Sequence, residues 1–169
     1  MVEKTLGNYD IHDAVHLLQG LKETREQLLS VLSSLSTEQL HEKLTNMPSV
    51  GQLLMHLIEY ERAWLKAIHT DQDQKDISAE FDYKEDDTVK GFQKSWFLAR
   101  LAETREQTRN YFYKLSDIEF RRPTFQIRKE EEVLRYSPEW IVYHLLDHES
   151  YIRGQIAIIS SLILQKQIL

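Results

Sequence analysis

Apolar residues recur at helical spacing in four stretches of the chain. The first stretch runs from Ile11 to Leu35 and predicts a long amphipathic helix. In the second, Leu53, Leu57, Tyr60 and Trp64 form the apolar stripe. It follows Ser49 and Gln52, which have the spacing of a capping box, so a second helix is predicted to run to about His69.

The second half of the chain contains two further helical patterns. A third helix is predicted from about Thr88 to Leu115, with Val89, Phe92, Trp96, Ala99, Phe112 and Leu115 as its apolar positions. Ser137 followed by Pro138 is a typical helix start, because serine can accept a backbone N–H and proline at the first position loses no hydrogen bond. A fourth helix is therefore predicted from there towards the end of the chain.

The segments between these helices lack a helical period. STEQLHEK, after the first helix, is interpreted as a polar segment that leads into a loop, and residues 70–87 as a long acidic connection. Residues 124–127 and 133–136 flank a charged turn and suggest a short β-hairpin before the last helix. The prediction is one all-α domain over residues 1–169, a four-helix bundle with long connections.

Composition narrows the classes of function. The 169 residues carry a net charge of −6 with scattered lysines and arginines, which argues against a nucleic-acid partner. There is no cysteine, so any metal must be bound by nitrogen or oxygen. Neither a signal peptide nor a membrane span is predicted, and we expect a cytoplasmic protein without a membrane partner.

Two histidines one helical turn apart are the main candidates for chemistry. His144 and His148 lie on the apolar side of the last helix, and imidazoles at this spacing can share one divalent cation. An internal repeat supplies a third histidine. SVGQLLMHLIEYE and SPEWIVYHLLDHE both place a histidine seven residues after serine, which aligns His56 with His144. LKETREQ from Leu21 and LAETREQ from Leu101 also match, which predicts two helical hairpins related by a pseudo-two-fold axis.

His56, His144 and His148 are therefore predicted to converge in the bundle. Three neutral imidazoles leave coordination positions open, which is typical of a catalytic metal site. Tyr60 aligns with His148 in the repeat and could donate a hydrogen bond to a metal-bound ligand. The alternative is that the histidines are ordinary core residues that hydrogen-bond to carbonyls or carboxylates.

Neighbouring polar residues have simpler interpretations. Four acids near the histidines are expected to be solvated or capping charges, or else to accept an imidazole N–H or to provide a fourth ligand; they are Glu59, Glu61, Asp147 and Glu149. His12 and His16 lie off the apolar stripe and are expected at the surface. Gln155 is interpreted as structural, although it lies on the histidine side and could meet a substrate.

The motifs SVGQLLMH, ERAW and WIVYHLLDHESYIRGQI resemble the DinB/YfiT-like superfamily of metal-binding four-helix proteins. The resemblance implies a site of His56, His144 and His148 for a divalent metal, Zn or Ni, and a homodimer. One departure is that many relatives have histidines where this chain has Tyr151 and Ile152. If the family's ligand pair aligns with 148 and 152, one ligand is missing here.

The resemblance also implies a reaction. Characterised members include thiol S-transferases and thiol-dependent isomerases, so we expect the metal to activate a small-molecule thiol or water against an electrophile, in a transferase or hydrolase. Tyr60 and Glu149 are the predicted catalytic residues, with Glu149 or Glu59 orienting the imidazoles. The alternative is a non-catalytic metal-binding or purely structural dimeric bundle.

Overall fold

The computed structural model describes residues 13–69, 74–75, 89–129 and 132–166. Within them the helices are α1 (Asp13–Ser33), α2 (Thr37–His41), α3 (Val50–His69), α4 (Lys94–Phe112), α5 (Asp117–Arg121) and α6 (Pro138–Lys166). The strands are β1 (Gln74–Lys75), β2 (Phe125–Lys129) and β3 (Glu132–Tyr136). The four long helices α1, α3, α4 and α6 confirm the predicted four-helix bundle.

The bundle core consists of two apolar clusters at different heights. Helix α6 packs against α1 and α3, and α3 also packs against α4. One cluster contains Leu28, Val50, Phe97 and Ile156 among its members. The other contains Leu21, Trp64, Phe112 and Ile141 among its members. The polar candidate residues on α3 and α6 occur near the point where one cluster gives way to the other along each helix.

Serine caps begin most of these helices. The predicted capping box of α3 is confirmed: the Ser49 N–H donates to Gln52 Oε1 at 2.8 Å, and the Gln52 N–H donates to Ser49 Oγ at 3.2 Å. Ser137 Oγ accepts the Trp140 N–H at 3.2 Å, as its position before Pro138 predicted. No helix was predicted within STEQLHEK, but Ser36 and Gln39 form a second capping box that starts α2. Helix α5 was also not predicted.

The third predicted helix begins later than its apolar pattern suggested. Gly91 has a φ of 91°, a left-handed conformation that a continuous helix does not accommodate, and α4 starts at Lys94. Val89 and Phe112 are buried as predicted, but near the start of α4 the buried position is Phe97 instead of the predicted Trp96. Phe97 is fully buried, whereas Trp96 is only partly buried at the edge of the cluster.

The predicted hairpin is confirmed as antiparallel β2 and β3, with Phe125 opposite Tyr136. Strand β1 adds a short parallel pairing to β2, so the sheet order is β1-β2-β3. Apart from β1, the predicted acidic connection lies outside the described residues. No helix in the described ranges is both long and apolar enough to span a membrane.

Candidate functional site

The site lies where α3 and α6 face each other between the two apolar clusters. His56 Nε2 on α3 is 3.0 Å from His148 Nε2 on α6. One turn along each helix, in opposite directions, the Tyr60 hydroxyl forms a hydrogen bond with His144 Nε2. Because His56 meets His148 and Tyr60 meets His144, the two helices run antiparallel here. The three predicted ligands and Tyr60 therefore lie in one cluster.

Aromatic rings hold these imidazoles in place. The Tyr60 ring stacks on His148 with a centroid distance of 3.8 Å and an interplanar angle of 15°. Trp140 stacks on His144 at 4.7 Å, and the Trp64 ring meets His144 edge-on at 5.4 Å. The buried Trp64 Nε1 has no hydrogen-bond acceptor among the described residues. A buried donor without a partner beside His144 is typical of a place where water or a ligand binds.

Burial keeps the three imidazoles neutral. Desolvation lowers the pKa of His56, and it lowers the pKa of His144 against the opposing effect of Asp147. The pKa of His148 falls to about 3, because desolvation is reinforced by the neighbouring His56 and His144. Neutral imidazoles keep a lone pair, which is what metal coordination requires.

The spacing of His56 and His148 suits two ligands of one ion. Nitrogens bonded at about 2.1 Å to a shared ion lie roughly 3.0 to 3.4 Å apart for angles between square and tetrahedral. Their Nε2 atoms are 3.0 Å apart. His144 Nε2 is instead bonded to Tyr60, and no group of three or more histidine or acidic side chains in the described ranges is arranged to hold a metal. The structure thus brings two of the three predicted ligands together and leaves the third one turn away.

A buried layer of ion pairs lies beside the histidines, with one residue from each long helix. Arg25 Nε donates to Glu149 Oε1 at 2.6 Å, and Arg105 Nε donates to Glu61 Oε1 at 2.7 Å. The Nη2 groups cross over: Arg25 donates to Glu61 Oε2, and Arg105 to Glu149 Oε2. All four side chains are at most 9% exposed. Two positive and two negative charges therefore neutralise one another inside the bundle.

The layer follows the internal repeat. Arg25 and Arg105 occupy the same position in LKETREQ and LAETREQ, and Glu61 and Glu149 end the two matching histidine segments. The predicted pseudo-two-fold axis is thus visible in the contacts.

The arginines determine the charge state of Glu61. Desolvation alone would raise the pKa of Glu61, but the charges of Arg105 and Arg25 lower it to about 2. Thr108 Oγ1 also donates to Glu61 Oε1 at 2.6 Å.

The predictions for the acids had mixed outcomes. Treating Glu61 and Glu149 as solvated charges was wrong, because they are 4% and 3% exposed. The Glu149 carboxylate accepts hydrogen bonds from Arg25 and Arg105, so a catalytic role for Glu149 stays a prediction. Asp147 is exposed and Glu59 partly buried.

The remaining histidine predictions concern the first helix and position 152. His16 is exposed, as predicted, and His12 lies outside the described residues. Ile152, which replaces a histidine of many relatives, is buried in the larger apolar cluster.

The sequence interpretation missed the two arginines, although the sequence carried a signal for them. Arg25 fills the gap in the apolar stripe between Leu21 and Leu28, and Arg105 follows Leu101 by one turn. A charged residue in the middle of a stripe, repeated in both halves of the chain, indicates a buried partner of opposite charge.

A small cavity of about 10 Å³ connects the histidines with the ion-pair layer. Its polar lining residues are Tyr60, His148, Glu61, Arg105 and Glu149, and Leu57 and Leu145 complete the wall. This volume is at the lower limit for one water molecule. The histidine cluster and the ion-pair layer thus adjoin each other at this cavity.

Comparison with known proteins agrees with this fold. The sequence pattern of the DinB family matches residues 1–161. The crystal structure of a conserved protein from Enterococcus faecalis is similar, with a TM-score of 0.67 over 91% of this chain and 98% of that one. Its sequence identity of 11% supports a shared fold alone. No curated protein matches the sequence at a significant level.

Proposed function

Because the chain belongs to the DinB family, we propose that it binds a divalent metal, Zn or Ni, and activates a small thiol or water against an electrophile. His56, His144 and His148 are the proposed ligands. The observation that carries the proposal is the contact of His56 Nε2 with His148 Nε2 at 3.0 Å, between two imidazoles with lowered pKa values.

The chain's own residues have separate parts in this proposal. His56 and His148 supply two neutral nitrogens from facing helices. His144 would be the third ligand, in place of its present bond with the Tyr60 hydroxyl. The Tyr60 hydroxyl would then donate its hydrogen bond to the reacting molecule, which is the catalytic role we assign to it. Trp64 Nε1 is a second donor at this point, since it lacks an acceptor in the described part of the chain.

The chemistry that a bound divalent ion supplies is a lower pKa for a coordinated thiol or water, which makes a nucleophile available near neutral pH. Glu149 follows His148 directly and is fixed by Arg25 and Arg105. We assign it the task of holding that turn of α6 in place against α1 and α4, which carry these two arginines. The reaction class is S-transfer or hydrolysis, and the partner is a small thiol or electrophile.

One observation favours the alternative of a structural bundle. Each of the three histidines already has a polar partner inside the protein: His56 and His148 contact each other, and His144 contacts Tyr60. Hydrogen bonds of this kind satisfy buried imidazoles without a metal. In the metal-dependent function the histidines replace these hydrogen bonds with bonds to an ion, whereas in the structural bundle they keep them.

Cobalt substitution separates the two functions. Wild-type protein, His56→Ala, His148→Ala and the exposed-site control His16→Ala are each titrated with Co²⁺ while the visible spectrum is recorded. We expect ligand-field bands in wild type and His16→Ala only, and a new sulfur-to-cobalt charge-transfer band when 2-mercaptoethanol is added. Ligand-field bands that do not respond to the thiol would indicate closed coordination and a structural metal. Spectra identical to free Co²⁺ would leave the structural bundle.

The proposal includes a homodimer, as the family resemblance implies. Sedimentation velocity over a range of protein concentrations, with and without added Zn²⁺, measures this. A single species of twice the chain mass of 20.1 kDa is expected. A monomer at all concentrations would contradict this part of the proposal.

A further inference from the structure

The histidine side of α6 continues past His148 into an apolar cavity. Four residues of α6 are spaced three or four positions apart and so share one edge of the helix: His148, Tyr151, Gln155 and Ile158. A cavity of about 410 Å³ opens along this edge, lined by Met47, Pro48, Tyr151, Gln155, Ile158 and Ile159. Gln155 lies two turns beyond His148, about 10 Å along the helix axis.

The opposite wall comes from the segment that precedes α3. Because α3 and α6 run antiparallel, moving from His148 towards Gln155 corresponds to moving from His56 towards the start of α3. Pro48 and Met47 stand there, next to the Ser49 cap. Asn46 has a φ of 61°, and the Met47 N–H donates to the Leu44 carbonyl at 3.1 Å. This turn gives the wall a defined shape, since asparagine tolerates the left-handed conformation.

The lining of the cavity matches that of small-molecule sites. Such sites have volumes of roughly 300 to 1,000 Å³, mostly apolar walls and a few polar groups. Ile159, at 3% exposed, is the buried part of the wall, whereas Tyr151 and Ile158 are 64% and 59% exposed and stand at its mouth. The Gln155 amide makes no hydrogen bond with any residue in the described ranges, so it can pair with a ligand. Met47 adds an adaptable apolar surface.

We propose that this cavity binds an uncharged, mainly apolar small molecule through one hydrogen bond to Gln155. As the extension of the histidine edge, it would hold the apolar part of the substrate while the reactive end reaches His148. That the reactive end reaches His148 rests on the proposed function, whereas binding of an apolar molecule in the cavity does not. The substrate class is thus an apolar electrophile or thiol with a single hydrogen-bonding group near its middle.

The test is a fluorescence titration with N-phenyl-1-naphthylamine, a neutral apolar fluorophore with one N–H group. Ile158→Glu places a carboxylate at the mouth, and binding should weaken by roughly tenfold or more, because an apolar ligand would then desolvate a charge. Gln155→Leu should weaken binding about fivefold through the lost hydrogen bond. The matched control is Ile118→Glu, since Ile118 is 79% exposed on α5 and away from the cavity.

The outcomes separate the cavity from the metal proposal. Metal content is measured on the same samples of wild type, Ile158→Glu, Gln155→Leu and Ile118→Glu. Metal-free protein that binds the fluorophore supports the cavity and contradicts the proposed function. No binding in wild type, or equal loss in Ile118→Glu and Ile158→Glu, would overturn the cavity. One further result would overturn the small-molecule cavity. If wild type is a dimer, Ile158→Glu dissociates it and only the monomer binds the fluorophore, a second copy of the chain is the natural occupant of the cavity.

Discussion

Arg25 and Arg105 each donate a hydrogen bond to the backbone carbonyl that lies four residues before the other in the internal repeat. Arg25 Nη1 is 2.7 Å from the Leu101 oxygen, and Arg105 Nη1 is 2.6 Å from the Leu21 oxygen. Both guanidinium groups also bind the same two carboxylates. The equivalence of these contacts means that the two halves of the bundle are joined by a symmetric polar centre.

Removing either arginine should destabilise the protein to a similar degree. Arg25→Leu and Arg105→Leu each leave the two buried carboxylates with one guanidinium partner instead of two. Loss of one partner of a buried ion pair typically lowers the free energy of unfolding by about 3 to 5 kcal/mol. Urea unfolding followed by circular dichroism measures both values. Arg100→Leu is the control, because its pair with Glu103 is exposed and should change stability by about 0.5 kcal/mol or less. Values for Arg25 and Arg105 that differ widely would contradict the symmetric description.

Acid should weaken the folded state through Glu61. Its pKa is lowered from 4.5 to about 2 by the charges of Arg105 and Arg25, which outweigh desolvation. The stabilisation is therefore complete above pH 4.5 and is lost as the pH falls towards 2, for a total on the order of 3 kcal/mol. In Glu61→Gln the free energy of unfolding should be lower at neutral pH and change less between pH 5 and 3.

The matched control for this titration is Glu103→Gln, since Glu103 is 51% exposed. Its pH dependence should equal that of wild type in urea titrations at each pH. An unchanged pH dependence in Glu61→Gln would show that other carboxylates determine acid stability.

Two neighbouring aromatic residues on α4 should differ in their cost of removal. Phe97 is fully buried between the helices, so Phe97→Ala should cost about 3 to 5 kcal/mol. Trp96 packs on Phe92 at the edge of the cluster, with a centroid distance of 4.1 Å, and Trp96→Ala should cost markedly less. Thermal unfolding of both variants makes the comparison, and a larger loss for Trp96 would support the original apolar stripe.

Tyr60 should compete with the metal for His144. Tyr60→Phe keeps the ring that stacks on His148 but removes the hydroxyl that binds His144 Nε2. In wild type, His144 must give up this hydrogen bond, worth about 1 kcal/mol, before it can bind a metal. Tyr60→Phe removes that cost, so Zn²⁺ affinity should rise roughly fivefold, as measured by competition with a chelating dye. Tyr60→Leu also removes the stacking and serves as the comparison. Weaker binding in Tyr60→Phe would mean that the hydroxyl supports the site instead of competing with it.

The sequence predicted the four long helices because their apolar periods and serine caps are local signals. The Ser49 box and the Ser137 cap are made by neighbouring residues, and the structure contains both. Helix α2 was missed although Ser36 and Gln39 carry the same box, because its five residues are too short for an apolar period. The late start of α4 depends on the backbone conformation of Gly91, which an apolar pattern does not reveal.

The site was only partly predictable for a different reason. The repeat aligned His56 with His144, and the structure places His56 opposite His148, because antiparallel helices pair residues in reverse order. Burial of Glu61 and Glu149 depends on arginines from two other helices, so the acids viewed on their own helices resembled surface charges. The repeated segments LKETREQ and LAETREQ contained this information once they were considered together with the acids.

Metal content tests the central claim most directly. Untagged wild-type protein, His148→Ala and the control His16→Ala are purified without chelators, and Zn and Ni are measured by elemental analysis. The proposed site predicts close to one metal per chain in wild type and His16→Ala, and its loss in His148→Ala with the fold retained by circular dichroism. Wild-type protein that contains no metal, even after incubation with Zn²⁺ and Ni²⁺, would contradict the metal-dependent function and leave a helical bundle with hydrogen-bonded histidines.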